Sequence, residues 1–222
     1  CSEALISTLA DIHLVDFEAA GLGGFGRPAG YLGRQVDRWT SQLDSGIRVS
    51  PELREISRRL ASSVPGRDQA SLVHGDFRMD NLMLDPDDPG NITAVLDWEM
   101  ATLGDPLADL GMLLMYWRRP GEACASDAHA ITTAEGFFER FDLVERYAGL
   151  TGFDVEDLDF FEVLAHFKLA VIVEGIHARN LAGETVGASF GQIEAIPASL
   201  METALTLADD SHVPGLNGRT NR

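Results

Sequence analysis

The chain has 222 residues, of which 45% are hydrophobic, and its formal net charge is −18 at pH 7. This length and composition predict one large domain around one sizeable hydrophobic core. The acidic excess excludes nucleic acid and anionic membranes as partners, because both demand a basic surface.

Apolar residues at helical spacing predict three helices in the first third of the chain, over Ser2–Leu14, Tyr31–Leu43 and Pro51–Val64. Ser50 is expected to cap the third helix, with Pro51 at its first position. The glycine cluster GLGGFGRPAG, residues 21–30, neither follows a strand nor opens a helix, as a phosphate-binding loop must. We therefore interpret it as an interhelical loop.

The segment VHGDFRMDN, residues 73–81, contains side chains suited to phosphoryl transfer. Asp76 and Asn81 follow the apolar run 71–73, so that one loop can present both to the same cavity. A phosphotransferase needs a carboxylate that deprotonates the attacking hydroxyl and hard oxygen ligands that hold magnesium. Asp76 and Asn81 supply both kinds of group.

Asp97 supplies a third oxygen-bearing side chain. It follows a predicted strand over Ile92–Leu96, which a turn of composition DPDDPGN separates from a short strand over Leu82–Leu84. The pattern is therefore strand, catalytic loop, short strand, turn, strand and metal-binding aspartate.

These motifs resemble the aminoglycoside and choline kinase-like phosphotransferases, and more closely their acyl-CoA dehydrogenase-associated kinase-like branch. The resemblance rests on HGDFRMDN, LDWEMATLGDPLADLG and GLGGFGRPAGYLGRQVDRW. It implies an α+β, protein-kinase-like fold, with a mostly helical carboxyl-terminal lobe over residues 1–208, a few short strands around the catalytic loop, and a frayed tail over 209–222. The amino-terminal lobe of such kinases carries a strand lysine, whereas the only lysine here is Lys168. We expect that lobe to be absent from this chain and the chain alone to be inactive.

The resemblance implies roles for the three oxygen-bearing residues. Asp76 is expected to be the catalytic base, Asn81 a magnesium ligand, and Asp97 the principal magnesium ligand that bridges the nucleotide phosphates. Arg78 is placed in the catalytic set because it can neutralise charge on the transferred group. The alternative for Arg78 is a solvated surface position, and Asp80 is interpreted as a supporting or solvated carboxylate.

Three residues are expected to support the loop rather than react. His74 is interpreted as a buried histidine that braces the loop. Asp105 precedes Pro106 and is expected to cap the following helix. The resemblance favours Asp109 as a buried brace of the loop's backbone amides. Trp98 is expected to pack in the core, and the role of Glu99 is left open.

Further helices are predicted over Pro106–Arg118, Ala134–Gly149, Val155–Ala182 and Ser189–Ala208. The most apolar stretch, Leu158–Leu181, contains too many charged residues for a membrane span and is interpreted as a long buried helix. The resemblance implies that helices in this region line the acceptor pocket. Candidate pocket residues on this stretch are His166, Glu174, His177 and Arg179.

The predicted function is ATP-dependent phosphorylation of a small-molecule hydroxyl, with Mg²⁺ as cofactor. The acceptor stays open among hydroxyacyl-CoA-like compounds, aminoglycosides, choline, homoserine and other metabolites, and a homo-oligomer also stays open. One alternative is a non-catalytic binding or regulatory lobe. Another is a metal-dependent phosphohydrolase that uses His74, Asp76, Asp80 and Asp97. Two cysteines, Cys1 and Cys124, provide no disulfide framework, so a cytoplasmic location is expected.

Overall fold

The computed structural model describes residues 1–118, 131–183 and 193–218, which form two compact units. Unit 1 comprises residues 1–31 and 67–158, and unit 2 comprises residues 32–66 and 159–222. The helices are α1 (Ser2–His13), α2 (Tyr31–Ser41), α3 (Pro51–Ser62), α4 (Leu107–Tyr116), α5 (Arg140–Thr151), α6 (Leu158–Leu181) and α7 (Ile196–Asp210). The strands are β1 (Ser71–Val73), β2 (Leu82–Leu84), β3 (Ile92–Val95) and β4 (Thr102–Gly104).

Unit 1 surrounds the predicted catalytic loop with two small antiparallel sheets. β1 pairs with β4, with Leu72 opposite Leu103, and β2 pairs with β3, with Leu82 opposite Val95. Helix α1 packs against α5 and β1 and buries its apolar stripe completely at Leu5, Ile6 and Leu9. The sequence predicted β1, β2 and β3 but not β4, which has only three residues and ends in glycine.

The glycine cluster 21–30 forms consecutive turns between α1 and α2, as predicted. Gly26 explains part of its composition. A Cβ atom on Gly26 would lie 2.5 Å from Thr102 Oγ1 and 2.6 Å from the Leu103 amide nitrogen. In unit 1 this glycine therefore allows the loop backbone to pack directly against β4.

The prediction that a helix begins at Ala134 is wrong, because α5 begins at Arg140. Glu139 and Asp142 form a capping box, in which Asp142 Oδ2 accepts from the Glu139 amide at 3.1 Å. Such reciprocal bonds satisfy amides that have no partner inside the helix, and so fix where it starts. Upstream, Gly136 adopts a φ of 96°, which a continuous helix does not allow.

Unit 2 contains a helical core in which α3 packs against α7. The predicted start of α3 is confirmed, because Ser50 Oγ accepts from the Leu53 amide at 3.2 Å and Pro51 occupies the first helical position. Helix α6 buries three phenylalanines, Phe160, Phe161 and Phe167. No helix within the described ranges combines the length and apolarity needed to cross a membrane.

The carboxyl-terminal segment differs from the predicted frayed tail. Helix α7 extends to Asp210, and beyond it Val213 and Leu216 are 5% and 0% exposed. Arg59 anchors this segment through Asp209 Oδ1 at 2.6 Å and the Leu216 carbonyl at 3.4 Å. The glycine, proline and asparagine of this segment therefore form packed turns as far as residue 218. Residues 219–222 and the predicted helical residues 189–192 lie outside the described ranges.

Candidate functional site

The catalytic loop turns sharply directly after β1. Gly75 has a φ of 87°, a left-handed conformation that disfavours any side chain. A Cβ atom there would lie only 2.7 Å from the carbonyl oxygen of Met100. The fold therefore requires glycine immediately before Asp76, which brings the loop against the backbone that precedes β4.

Asp109 on α4 fixes the backbone at the start of this loop. Its Oδ2 atom accepts from the His74 amide at 2.6 Å, and its Oδ1 atom accepts from the Gly75 amide at 2.7 Å. Asp109 is completely buried. These contacts are the ones that a brace of the loop requires.

His74 is also fully buried, and both of its ring nitrogens are engaged. Nε2 lies 2.8 Å from the Leu96 carbonyl oxygen, and Nδ1 lies 3.2 Å from the Asp76 amide. Since Nδ1 accepts from an amide and Nε2 donates to a carbonyl, the ring is the neutral Nε2–H tautomer. This arrangement suits a structural histidine rather than a base.

Asp76 and Asn81 lie side by side within the loop. Asn81 Nδ2 donates to the Asp76 carbonyl oxygen at 2.8 Å and to Asp76 Oδ2 at 3.2 Å. Because both contacts use the amide nitrogen of Asn81, its oxygen Oδ1 is left as an acceptor for a cation. The side chain of Asp76 is 24% exposed and therefore accessible to a substrate.

Asp97 follows Leu96, whose backbone amide and carbonyl both form hydrogen bonds with the catalytic loop. The Leu96 amide donates to the Asn81 carbonyl at 2.8 Å, and its own carbonyl accepts from His74. Asp97 is exposed, and within the described residues it is the single non-glycine position with positive φ, at 64°. Positive φ is uncommon in non-glycine residues, although aspartate tolerates it better than most, and such positions often occur at functional sites.

The prediction that Trp98 packs in the core is wrong, because this residue is 38% exposed. Its ring covers the His74 ring at a centroid distance of 4.7 Å, and its Nε1 atom donates to the Val95 carbonyl at 2.9 Å. One face of the tryptophan therefore shields the histidine while the remainder stays accessible to solvent.

Arg78 lies directly beside the candidate base. Its Nε atom is 3.4 Å from Asp76 Oδ2, and its Nη1 atom is 3.7 Å from Asp80 Oδ2. The guanidinium also stacks 5.0 Å from the ring centroid of Tyr116 at the end of α4. Its side chain is only 27% exposed, which disfavours the alternative of a solvated surface arginine.

Comparison with known proteins identifies the family to which this loop belongs. A model of the phosphotransferase enzyme family matches residues 2–149. The chain belongs to this family. It is 34% identical over 210 residues to acyl-CoA dehydrogenase family member 11 of Gallus gallus, covering 91% of the chain and 27% of that protein. The corresponding Rattus norvegicus protein is 36% identical over 186 residues, covering 81% of the chain and 24% of that protein. The chain thus spans about a quarter of the length of these relatives.

Solved structures agree with this assignment. A candidate aminoglycoside phosphotransferase of Ralstonia eutropha superposes with a TM-score of 0.74 at 30% identity, covering 92% of this chain and 65% of that one. A macrolide 2'-phosphotransferase type I gives a TM-score of 0.62 at 19% identity, covering 90% and 58%. A choline/ethanolamine kinase family protein of Mesorhizobium loti gives 0.58 at 14%, covering 98% and 67%. The predicted resemblance and the α+β, protein-kinase-like fold are both confirmed.

The oxygen ligands of this site suit a magnesium ion that is bound together with a nucleotide. Among the residues that the structure describes, no group of three or more His, Cys, Asp or Glu side chains could hold a metal ion. Magnesium is usually bound through one or two protein oxygens together with substrate phosphates and water. Asn81 Oδ1 and the exposed Asp97 carboxylate fit that pattern. The phosphohydrolase alternative does not fit, because both His74 nitrogens are occupied.

The Asp105 side chain accepts from a backbone amide at the start of α4 and also forms a buried ion pair. Its Oδ1 atom accepts from the Leu107 amide at 3.0 Å, and its Oδ2 atom accepts from Arg67 Nε at 2.8 Å. Burial raises the pKa of Asp105, and the nearby Arg67 charge opposes that shift. Arg67 had no distinguishing signal in the sequence, because its partner lies 38 residues away.

Two of the candidate acceptor residues on α6, Glu174 and His177, take part in contacts within unit 2. Arg48 donates to Glu174 Oε1 through Nη2 at 2.9 Å, whereas Glu174 Oε2 is buried with no hydrogen-bond partner. His177 Nε2 lies 3.6 Å from Glu194 Oε1. A role in acceptor binding for Glu174 and His177 stays a prediction.

Three residues that approach the loop lie outside every sequence motif described above. Tyr116 stacks on Arg78, while His13 and Tyr147 lie behind Asp109. In the sequence, Tyr116 and Tyr147 lie within predicted helices and His13 lies at the end of one, and none of them belongs to a motif. A polar residue on the buried face of an amphipathic helix was the one available signal for His13 and Tyr147.

Proposed function

We propose that the full-length protein containing this chain transfers the γ-phosphoryl group of ATP to a hydroxyl group of a small molecule. The main support is one observation. The loop that contains Asp76 and Asn81 packs against the backbone of Leu96, which immediately precedes Asp97. Membership of the phosphotransferase enzyme family supports it.

Asp76 is the proposed general base. Asn81 holds Oδ2 of Asp76, which leaves Oδ1 to accept the proton of the acceptor hydroxyl. As that proton moves to Asp76, the hydroxyl oxygen forms a bond to the γ-phosphorus atom. The bond from this phosphorus to the bridging oxygen breaks, and ADP leaves with the electron pair.

Asn81 and Asp97 are the proposed magnesium ligands, through the amide oxygen and the carboxylate. When bound, the metal would offset negative charge on the nucleotide phosphates. Arg78 is proposed to contribute a further positive charge next to the transferred group. Its ion pair with Asp76 keeps that charge beside the reacting hydroxyl.

The proposed acceptor class is a hydroxylated small molecule. The relatives named acyl-CoA dehydrogenase family members 10 and 11 favour a hydroxyacyl-CoA-like acceptor, whereas the Ralstonia structure favours an aminoglycoside-like one. Both classes carry a hydroxyl group for the base to activate. A screen must therefore include hydroxyacyl-CoA thioesters, aminoglycosides and amino alcohols.

The test is ADP release by the full-length protein with each acceptor and Mg²⁺. Asp76→Asn should lower kcat by about 10²–10⁴-fold without changing nucleotide affinity, because it removes only a proton acceptor. The matched control is Asp80→Asn, which alters a neighbouring carboxylate that also pairs with Arg78 and is 45% exposed. Turnover by Asp76→Asn equal to that of the control would contradict the base assignment.

A further inference from the structure

A buried polar chain leads from α5 through α1 to the brace of the catalytic loop. The Tyr147 hydroxyl lies 2.6 Å from His13 Nδ1, and His13 Nε2 lies 3.2 Å from Asp109 Oδ2. Tyr147 and Asp109 are completely buried, and His13 is 3% exposed. All three residues belong to unit 1, and no step of the function proposed above uses His13 or Tyr147.

The direction of the hydrogen bonds follows from the acceptor at the end of the chain. The Asp109 carboxylate can only accept, so His13 Nε2 carries a proton and donates to it. In the neutral imidazole Nδ1 then has no proton and accepts from the Tyr147 hydroxyl. Burial, together with the negative charges of Asp109 and Asp105, raises the pKa of Tyr147, so the phenol has a proton to donate.

Asp109 thus accepts from three donors at once. They are His13 Nε2 and the backbone amides of His74 and Gly75. The His13 bond falls on Oδ2, the oxygen that also holds the His74 amide. The Asp109 carboxylate must be oriented correctly to accept from both loop amides, and the hydrogen bond from His13 fixes that orientation.

We propose that His13 and Tyr147 are positioning residues, which hold the Asp109 carboxylate in the orientation that sets the backbone before Asp76. The kinetic part of this inference rests on the proposed function, whereas the geometric part does not. A role limited to packing would depend on the ring of Tyr147 and not on its hydroxyl.

The test compares Tyr147→Phe, which deletes only the hydroxyl, with Thr151→Val. Thr151 lies on the same helix, and its hydroxyl donates to the Tyr147 backbone carbonyl at 2.9 Å and accepts from the backbone amide two residues further on at 3.1 Å. This control therefore removes a hydrogen-bonded hydroxyl that is not part of the polar chain. Amide hydrogen exchange is measured on this chain by NMR. Tyr147→Phe should speed exchange at the His74 and Gly75 amides by roughly five- to tenfold relative to the Leu9 amide in α1. Thr151→Val should leave that ratio unchanged.

The His13 tautomer gives a second readout that needs no substitution. Long-range ¹H–¹⁵N spectra of this chain should show Nδ1 without a proton and Nε2 with one. A proton on Nδ1 alone, or equal exchange ratios in Tyr147→Phe and the unsubstituted chain, would overturn the inference even if one variant failed to fold.

Kinetics of the full-length protein separate the two proposals. Tyr147→Phe should lower kcat by roughly five- to tenfold at unchanged KM for the nucleotide, because the base is displaced while nucleotide contacts persist. If the full-length protein transfers no phosphoryl group, the proposed function fails while the exchange and tautomer results still decide the positioning roles. Unchanged kcat in an active Tyr147→Phe enzyme would contradict the positioning role alone.

Discussion

Replacement of Gly75 by alanine tests the geometry of the catalytic loop without any assumption about substrate. The φ of 87° at Gly75 lies in the left-handed region, where an alanine costs about 1–2 kcal/mol. The new Cβ atom would also lie 2.7 Å from Met100 O and 2.9 Å from Met100 Cβ. Since the first of these atoms is backbone, relief requires the chain to move, which adds about 1–3 kcal/mol. The two costs together predict a loss of roughly 2–5 kcal/mol.

The assay is urea unfolding of this chain, with Gly149→Ala as the matched control. Gly149 lies within α5 in the same unit, and a Cβ atom there would meet nothing within 4 Å. Alanine is favoured over glycine inside helices, so the control should gain about 0.5–1 kcal/mol. The same substitution should therefore lower the unfolding free energy at Gly75 and raise it at Gly149. A Gly75→Ala protein as stable as the parent would refute this description of the turn.

Three further predictions concern stability. Asp109→Ala should cost about 3–5 kcal/mol in urea unfolding, because it leaves buried donors unpaired, whereas Asp80→Ala should stay within about 0.5 kcal/mol; equal effects would contradict the bracing role. Asp105 has a raised pKa, so its contribution to stability is greatest below its ordinary value of 3.8 and falls as pH rises through the folded value. The unfolding free energy of the parent minus that of Asp105→Asn should therefore decrease between about pH 3 and pH 7, and a difference that grows would be inconsistent with a buried carboxyl. Hydrogen bonds from Arg58 and then Arg59 lower the pKa of Glu55 to about 2, so its contribution is present above 4.5 and lost toward that value. Glu55→Gln should cost about 0.3–1 kcal/mol at neutral pH, since the Glu55 and Arg58 side chains are 37% and 59% exposed and water screens their pair, and the cost should shrink in acid.

Features of the fold that depend on residues close together in the sequence were predictable. Ser50 and Pro51 correctly predicted the start of α3, and the HGDFRMDN motif predicted which residues share one loop. The start of α5 was not predicted, because apolar periodicity continues through residues 134–139. The capping pair Glu139 and Asp142, rather than periodicity, decides where that helix begins.

The sequence does not indicate which residues of distant segments contact each other. His13 lies 96 residues from Asp109 and 134 residues from Tyr147, so no motif could indicate that the three are joined. Trp98 shows a related limit. Its large apolar ring predicted a core position, whereas the structure places it at the surface over His74.

The arrangement of oxygen ligands around a nucleotide is the central claim of the proposed function. The most direct measurement is a crystal structure of the full-length protein with Mg²⁺, a non-hydrolysable ATP analogue and an acceptor found in the screen. Asn81 Oδ1 and an Asp97 carboxylate oxygen should lie about 2.0–2.1 Å from the metal. Asp76 should lie within about 2.6–3.2 Å of the acceptor hydroxyl. A nucleotide whose metal is held by other residues, with Asp76 out of reach of the hydroxyl, would contradict the proposed function.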